Sequence, residues 1–499
     1  MTHRTSVPGA LLAQFNDFVS VHMGIHFPPE RWPDLERGVQ TAAREFGFRD
    51  EQSCLHWLMS APLTKLQIEV LAASLTVGET YFFREKRCFE VLEQRILPDL
   101  VRERREHGKR LRLWSAACCT GEEAYSLAIL LRRVIPDLQA WNVAILATDI
   151  NPHFLHKAAL GVFGEWSFRD APTWLKDLYF TRPVANRYEI LPEIRRMVTF
   201  SHLNLVQDVY PSLLTDTNAM DVILCRNVLM YFAPQYAQRA ITNLCHCLVG
   251  HGWLILSACE APDIPPAYTR LDMDGVIVYR KKDSAPPLDS AEQPPAGEPL
   301  AVHFPTYVEP PPPPTQATIA SVAVPRADAG AGLLSEATAE AIALYAQGDY
   351  RGAADRLQQL ALHSPDPPVI ALLARCLANQ GQLADALGWC DRLIAAEKLN
   401  PSAHYLRATI LQEQGAQEEA IRALQRALFL DANFVVAHFA LGNLARAHGK
   451  PGEAARHFRN ALRLLRTKQP DDILPESDGI VAGRLAEIIT ALMEEVPAA

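Results

Sequence analysis

The sequence predicts an α/β protein in which a mainly parallel sheet, covered by helices, lies between an N-terminal helical segment and a C-terminal all-α solenoid. Two observations lead to this prediction. From Leu111 onward, short apolar strands alternate with helical segments, which is typical of an open parallel sheet covered on both faces. Near the C-terminus, glycines recur every 33 or 34 residues, which indicates helical repeats.

Length and composition limit the class of protein. The 499 residues are too many for one core, so we expect two or three domains. A formal net charge of -9 argues against general nucleic-acid binding. No apolar run reaches the ~20 residues of a membrane helix, and the N-terminus lacks an export signal, so we expect a cytoplasmic protein without membrane insertion. The ten cysteines lack paired spacing, which favours reduced, mostly buried thiols.

Residues 8–75 form the first expected domain. Apolar residues recur at helical spacing in residues 11–18 and again in residues 57–66. This pattern predicts a helical subdomain, and we identify no catalytic constellation in it.

The second expected domain covers residues 76–282. The strand patterns LRLWSAA, VAILATDI, AMDVILCRN and GWLILSA alternate with the helix patterns EAYSLAILLRRVI, NPHFLHKAAL and AITNLCHCLV. In such sheets ligands bind outside the carboxyl ends of the strands, and the first strand-to-helix turn is the usual nucleotide site. That turn is CCTGEE, residues 118–123.

The residues of this turn restrict the ligand. One glycine and two acids without a lysine disfavour a phosphate site, and the three spaced glycines of a dinucleotide fingerprint are absent. Cys118 and Cys119 are adjacent and lack the separated spacing of a zinc site, so we expect no metal. Asp149 ends the second strand, 28 residues after Gly121, where a carboxylate could accept both hydroxyls of a ribose. A nucleoside without phosphates that carries a positive group, such as S-adenosylmethionine, fits this pattern.

Twelve prolines stand between residues 283 and 332, which indicates a linker with a semi-rigid extended segment. Every proposed ligand contact precedes residue 232. We therefore expect a fragment that ends near Lys282 to bind its cofactor alone, with the C-terminal region tethered as an independent docking module.

The third expected domain, residues 335–470, repeats itself. Gly348, Gly381, Gly415 and Gly449 are spaced by 33, 34 and 34 residues, and an alanine follows each glycine by five positions. Each period predicts two amphipathic helices joined by a turn at the glycine, a pattern that resembles the tetratricopeptide repeat. Stacked repeats form a concave surface for another protein, so we expect an unidentified protein ligand there. Residues 471–499 are expected to form a C-terminal helix or tail.

Five ordered motifs of the sheet domain resemble those of the CheR-type chemotaxis receptor methyltransferases. LWSAACCTGEEAYSLAI, residues 113–129, is closely similar to the family's first motif. LTVGETYFFRE (75–85), ATDINPHFLHKAALGVF (147–163) and ILCRNVLMYF (223–232) are similar to its other signatures, and FSHLNLV (200–206) resembles its adenine-side turn. The resemblance spans about residues 8–282 and implies a Rossmann-like methyltransferase domain with a small inserted β-subdomain.

The same resemblance implies specific site residues. Cofactor contacts fall on Thr80, Arg84, Glu123, Asp149, Asn204, Leu205, Arg226 and Asn227. The family's aromatic residue near the reacting methyl group falls on Tyr231, and we expect Arg84 or Arg87 to orient the substrate carboxylate. Two positions depart from the family pattern: Gly78 stands where several members carry asparagine, and residues 254–262, around Glu260, lack the usual His-Ser-Glu ending.

The implied activity is transfer of a methyl group from S-adenosylmethionine to glutamate side chains of chemotaxis receptors, giving methyl esters for sensory adaptation and S-adenosylhomocysteine as product. A glutamate with a pKa of ~4.3 is already ionised at neutral pH, so this transfer needs alignment rather than a general base. Two alternatives stay open. The enzyme could methylate a different protein, or the chain could be a repeat scaffold in which the methyltransferase fold is regulatory.

Overall fold

The computed structural model describes residues 7–61, 63–106, 108–181, 187–260, 264–282, 332–363 and 366–494. The predicted linker, residues 283–332, lies outside the described residues except for its last position. Within the described residues the predicted fold class is confirmed, because a mixed α/β sheet domain is followed by a helical repeat region.

Four helices precede the sheet domain and pack around a core of their own. Two of them have side-chain caps that explain where they begin: Asp50 accepts a hydrogen bond from the backbone N–H of Ser53, and Thr64 forms a capping box with Gln67. The helices are α1 (Gly9–Met23), α2 (Trp32–Glu45), α3 (Glu51–Met59) and α4 (Lys65–Leu75).

The sheet domain follows the predicted alternation of strands and helices. Its elements are α5 (Lys86–Val91), α6 (Leu97–Glu106), β1 (Arg110–Ala116), α7 (Glu122–Val134), β2 (Asn142–Asp149), α8 (Pro152–Leu160), β3 (Val162–Gly164), α9 (Trp174–Tyr179), β4 (Phe180–Thr181), β5 (Arg187–Ile190), α10 (Pro192–Arg195), β6 (Val198–His202), β7 (Met220–Cys225), α11 (Pro234–His246), β8 (Leu248–Leu256), β9 (Tyr268–Met273) and β10 (Val276–Lys281).

Seven strands form one sheet in the order β6-β2-β1-β7-β8-β10-β9. The first five are parallel, whereas β10 is antiparallel to both β8 and β9. The strand β6 and the β9–β10 hairpin were not among the predicted strands. The helix predicted through AITNLCHCLV ends earlier than expected, at His246, because Leu248 already begins β8. A second, three-stranded sheet, β3-β5-β4, is the inserted β-subdomain that the resemblance implied.

The core of the sheet domain lies on both faces of its central strands. Every residue of β7 is buried, as are six of the seven residues of β1. Trp114 on β1 is fully buried, and its indole N–H donates to the Thr148 hydroxyl at 3.0 Å. Burial on both faces explains why these strands are continuous apolar runs in the sequence.

The repeat region consists of four helix pairs and one further helix. The glycines predicted to mark turns lie between the two helices of each pair with φ values from +68° to +81°, where a side chain would be strained. The helices are α12 (Gly332–Ala346), α13 (Tyr350–His363), α14 (Pro367–Asn379), α15 (Leu383–Ala396), α16 (Pro401–Glu413), α17 (Gln417–Leu430), α18 (Val435–Ala447), α19 (Pro451–Leu465) and α20 (Ala482–Glu494).

The repeats pack directly on the sheet domain, which corrects the expectation of an independently tethered module. The buried carboxylate of Glu413 accepts hydrogen bonds from Arg110 at 2.9 Å and from Asn218 at 2.7 Å. Its backbone carbonyl accepts a third hydrogen bond from the Asn142 side chain at 2.8 Å. Arg110 and Asn142 begin β1 and β2, so the repeats cover the amino ends of these strands, opposite the edge where ligands bind.

Three turn glycines contribute to this interface by allowing close approach. A Cβ atom at Gly348 would lie 2.3 Å from the His246 ring, and one at Gly415 would lie 3.2 Å from the Asn142 amide. At Gly381 it would lie 3.4 Å from the Arg110 guanidinium. Three of the four glycines that revealed the repeat period thus also face the sheet domain.

All ten cysteines lie within the described residues as free thiols, eight of them buried. Among the described helices, we find none with the length and apolar character needed to cross a membrane.

Candidate functional site

A cavity of about 1090 Å³, including its open mouth, lies at the carboxyl ends of β1, β2 and β7. Its walls come from the N-terminal helices, the segment before α5, the turn after β1 and the segments that follow β2, β6 and β7. Nine of the ten predicted site residues line it: Thr80, Arg84, Glu123, Asp149, Asn204, Leu205, Arg226, Asn227 and Tyr231.

The turn after β1 is compact because Gly121 packs against α8. Gly121 has φ +95°, and a Cβ atom there would lie 2.9 Å from the Ala158 Cβ. Ala117 and Cys119 adopt left-handed backbone conformations with φ +63° and +51°, which non-glycine residues rarely do outside functional turns. Burial raises the pKa of the Cys119 thiol, which disfavours the reactive thiolate form.

Asp149 ends β2 and reaches the cavity from a nearly buried position. Its two carboxylate oxygens accept backbone N–H groups of Asn151 and Cys119, each at 2.9 Å. Burial raises the pKa of this carboxyl group from its ordinary value of 3.8 to about 6. A carboxylate can accept about four hydrogen bonds, so Asp149 retains capacity for a hydroxyl donor of a ligand.

Arg226 connects three segments of the cavity wall. Its buried guanidinium donates to Glu123 at 3.0 Å and to the Arg84 carbonyl at 2.8 Å, and it pairs with Glu85 at 3.0 Å. The other oxygen of Glu123 accepts the Ser115 hydroxyl at 2.7 Å. Arg226 therefore positions Glu123 and the residue 84–85 backbone, a bridging role that the sequence resemblance did not indicate.

Asn204 belongs to a turn that is held by its neighbours. Its backbone N–H donates to Asp208 at 2.7 Å, and its side-chain oxygen accepts the N–H of Val206 at 3.0 Å. Its side-chain amide donates to the His22 carbonyl at the end of α1, at 2.8 Å. The side chain thus joins the turn to α1, while Leu205 adds an apolar surface to the cavity.

Glu260 organises the segment that carries Asn227 and Tyr231. One oxygen accepts the N–H groups of Val228 at 2.7 Å and Met230 at 3.2 Å. The other accepts those of Asn227 at 3.0 Å and Ser257 at 3.2 Å. Although residues 254–262 lack the usual His-Ser-Glu ending, Glu260 therefore has a defined structural role. The sequence could not indicate this role, because the donors are backbone groups.

Two further sequence expectations are resolved by the geometry. Arg87 does not line the cavity but donates to the carbonyl of Asp274 in the β9–β10 turn at 3.1 Å, so we withdraw its assignment to substrate. At Gly78, a Cβ atom would lie 2.7 Å from the Phe154 ring, which occupies the space that a larger residue would need.

The segment between α1 and α2 contributes to the cavity, although we had identified no catalytic constellation in this domain. The guanidinium of Arg31 lies 5.4 Å from the ring centre of Tyr231, within cation–π range. The backbone N–H of His26 donates to the Tyr231 carbonyl at 2.7 Å. A single arginine and a single histidine in a short connecting segment give no signal in the sequence by which this contribution could have been found.

The cavity has the donors and acceptors that S-adenosylmethionine requires. Asp149 retains acceptor capacity for ribose hydroxyls, Leu205 gives an apolar surface for a base, and Glu123 adds another carboxyl group to the lining. The described lining residues include no lysine, and the glycine turn packs against α8 rather than opening a phosphate cradle. These residues fit a nucleoside with a cationic sulfonium better than a nucleotide.

Comparisons with known proteins identify the two regions separately. Residues 78–268 match the CheR methyltransferase, SAM binding domain family, and residues 344–410 match the tetratricopeptide repeat family. The chain is also similar to MamA from Desulfovibrio magneticus RS-1, with 24% identity, a TM-score of 0.26, and coverage of 27% of this chain and 77% of that chain.

Two curated relatives are named as chemotaxis protein methyltransferases. Over 195 residues the chain is 35% identical to chemotaxis protein methyltransferase 2 of Vibrio cholerae, covering 39% of this chain and 66% of the relative. Over 220 residues it is 34% identical to chemotaxis protein methyltransferase 1 of Pseudomonas aeruginosa, covering 43% of this chain and 77% of the relative. The chain belongs to the CheR-type chemotaxis protein methyltransferases, and its cofactor is S-adenosylmethionine.

Proposed function

We propose that this protein transfers the methyl group of S-adenosylmethionine to glutamate side chains of chemotaxis receptors. The observation that carries the proposal is the meeting, in one cavity, of the residues assigned to the cofactor and of Tyr231, assigned to the reacting methyl group. The family membership and the names of the curated relatives support a role in chemotaxis signalling.

The assigned cofactor contacts lie on several sides of the cavity. Asp149 would accept the ribose hydroxyls, and residues 204–205 would face the base. Glu123, held by Ser115 and Arg226, would balance positive charge. When bound, the cofactor supplies an electrophilic methyl group on a sulfonium.

The acceptor carboxylate needs orientation rather than deprotonation. A glutamate with a pKa of ~4.3 is ionised at neutral pH, so no general base is required. Arg84 and Tyr231 both line the cavity. These side chains are positioned to guide a glutamate side chain inward and to limit water around it, and a dry site favours a reaction in which opposite charges are neutralised.

Radiolabelled transfer tests the proposal. The full-length protein is incubated with methyl-labelled S-adenosylmethionine and purified chemoreceptor cytoplasmic domains, and the label released by mild alkali is counted, since carboxyl methyl esters are alkali-labile. We expect alkali-labile label on a receptor domain. Label that resists alkali would indicate another acceptor group, and label on other proteins but on no receptor would indicate a different protein substrate.

A further inference from the structure

The cofactor cavity has a wall that depends on the C-terminal helix. Residues 202–208, here called the base-side turn, follow β6 and carry Asn204 and Leu205 into the cavity. One oxygen of Asp208 accepts the backbone N–H of Asn204 at 2.7 Å, which sets the position of the turn.

Arg484, on α20, binds that same carboxylate oxygen. Its guanidinium donates to Asp208 at 2.8 Å and approaches the His202 ring nitrogen at 3.0 Å. Its other terminal nitrogen donates to Glu487 on the same helix at 3.1 Å. The Arg484 and Asp208 side chains are 19% and 17% exposed, so solvent screens this pair less than it screens a surface pair.

The chain that follows the base-side turn is also held by the repeats. Asp478 accepts hydrogen bonds from the Ser212 hydroxyl at 3.1 Å and from the Leu213 N–H at 3.0 Å. Arg375 on α14 donates to the other oxygen of Asp478 at 2.8 Å. Leu213 and Leu214 pack against two different hydrophobic clusters of the repeat region.

The repeat surface that meets this segment is covered. The first helices of the second, third and fourth pairs, α14, α16 and α18, bury residues around most of their circumference. In their partners α15, α17 and α19, the buried residues lie along one side of each helix only. Residues 211–218 of the sheet domain therefore cover part of the repeat surface to which a protein ligand would bind.

We propose that the repeat region is a positioning element of the cofactor site, in which Arg484 acts through Asp208 to hold the base-side turn. The inference rests on the proposed contact of Asn204 and Leu205 with the cofactor. Without Arg484, Asp208 still binds the Asn204 N–H but loses its link to α20. The base-side turn then gains conformational entropy, and cofactor binding becomes weaker because it must order the turn.

The test is calorimetric binding of S-adenosylhomocysteine to full-length variants. We expect Arg484→Leu to raise the Kd by about five- to tenfold, on the scale of one weakened charge-assisted hydrogen bond, and to raise the KM for S-adenosylmethionine more than it lowers kcat. Arg484→Lys keeps one charged donor and should restore most of the affinity. Arg407→Leu, which removes an ion pair with Asp391 inside the repeats, is the matched control and should leave the Kd unchanged.

Asp208→Asn provides a second route to the same measurement if Arg484→Leu does not fold. It should raise the Kd as well, and the double variant should add little to either single change, because both act on one contact. An unchanged Kd in folded Arg484→Leu and Asp208→Asn proteins would overturn this inference alone. Failure of the wild-type protein to bind S-adenosylhomocysteine would instead overturn the cofactor contacts on which it rests.

Discussion

The buried carboxylates around the cavity differ in how many of their hydrogen-bonding positions the protein itself uses. Glu260 accepts four backbone N–H groups, which fills its capacity. Glu123 is engaged on both oxygens by Ser115 and Arg226. Asp149 accepts a backbone N–H group on each oxygen at 2.9 Å and faces the cavity, so it is the acid best suited to accept ligand hydroxyls.

The raised pKa of Asp149 predicts a pH-dependent affinity. In the free protein this carboxyl group has a pKa of about 6, above the ordinary 3.8, so its ionisation lowers the stability of the folded protein as pH rises from about 4 to about 6. Ribose hydroxyls would stabilise the ionised form. We therefore expect affinity for S-adenosylhomocysteine to fall by up to about tenfold per pH unit below 6.

Calorimetric titrations across this pH range check the prediction. Asp149→Asn cannot ionise and should bind weakly with little pH dependence. An affinity of the wild-type protein that is flat through about pH 6, or an unchanged affinity in folded Asp149→Ala, would contradict the assignment of Asp149 to the ribose.

Tyr231 lies in the cavity wall beside Arg31, where its hydroxyl could face the reacting groups. We expect Tyr231→Phe to keep the Kd for S-adenosylhomocysteine, because the ring remains, and to lower turnover by about tenfold, equivalent to about 1.4 kcal/mol. Steady-state methylation of a receptor domain measures this effect. Wild-type turnover in the variant would show that the hydroxyl has no part in the reaction.

At the scale of single elements, the cavity is built from turns in unusual conformations held by regular structure. Phe83, Glu85, Cys119 and Asn227 all have positive φ values between +51° and +58°. Such residues persist only where the surroundings hold them, as Arg226 holds Glu85 and Glu260 holds Asn227. The element that carries Tyr231 thus depends on one carboxylate that follows β8.

This dependence predicts the effect of Glu260→Gln. The amide keeps one acceptor oxygen but loses the charge, leaving about two backbone N–H groups without a good partner. We expect the free energy of unfolding to fall by ~2 kcal/mol and turnover to fall more than affinity for S-adenosylhomocysteine. Chemical denaturation and steady-state kinetics measure both, with exposed Glu193→Gln as the control. Equal losses of stability and turnover in the two variants would show that Glu260 contributes no more than an exposed glutamate does.

The strands, helices and repeat period could be predicted because each element carries its own local pattern. The contribution of Arg31 could not, because it is a single side chain in the segment between α1 and α2. The role of Glu260 could not either, because it binds backbone groups. Seven of the ten predicted site residues line the cavity because their motifs follow the carboxyl ends of strands, and Thr80 and Arg84 reach it from the segment before α5. Arg87 lies two residues beyond one of these motifs, on α5, and its guanidinium contacts the Asp274 carbonyl instead.

At the scale of the whole molecule, the repeats and the sheet domain form one packed arrangement. Arg110 and Glu413 are 303 residues apart in sequence, and Ser212 and Asp478 are 266 apart. No periodic pattern links residues at such separations, so the interface could not be predicted. A fragment that ends near Lys282 would expose Arg110 and Leu213, and we no longer expect it to bind the cofactor as well as the whole chain does.

Glu413 is the centre of this interface. Removing its carboxylate by Glu413→Ala leaves Arg110, whose side chain is 11% exposed, as a nearly buried charge without its partner. We expect a loss of ~3 kcal/mol or more in the free energy of unfolding. Thermal and chemical denaturation measure this loss, with exposed Glu419→Ala on α17 as the matched control. A stability equal to that of the control would show that the repeats do not pack on the strands as described.

The central claim is that the cavity methylates glutamate side chains of a receptor. Tandem mass spectrometry of a chemoreceptor cytoplasmic domain, after incubation with the full-length protein and S-adenosylmethionine, tests it most directly. We expect single methyl additions on glutamate side chains, absent with the Asp149→Ala variant and removed by mild alkali. Methyl groups found on lysine, arginine or cysteine, or glutamate methylation that persists undiminished with Asp149→Ala, would contradict the account.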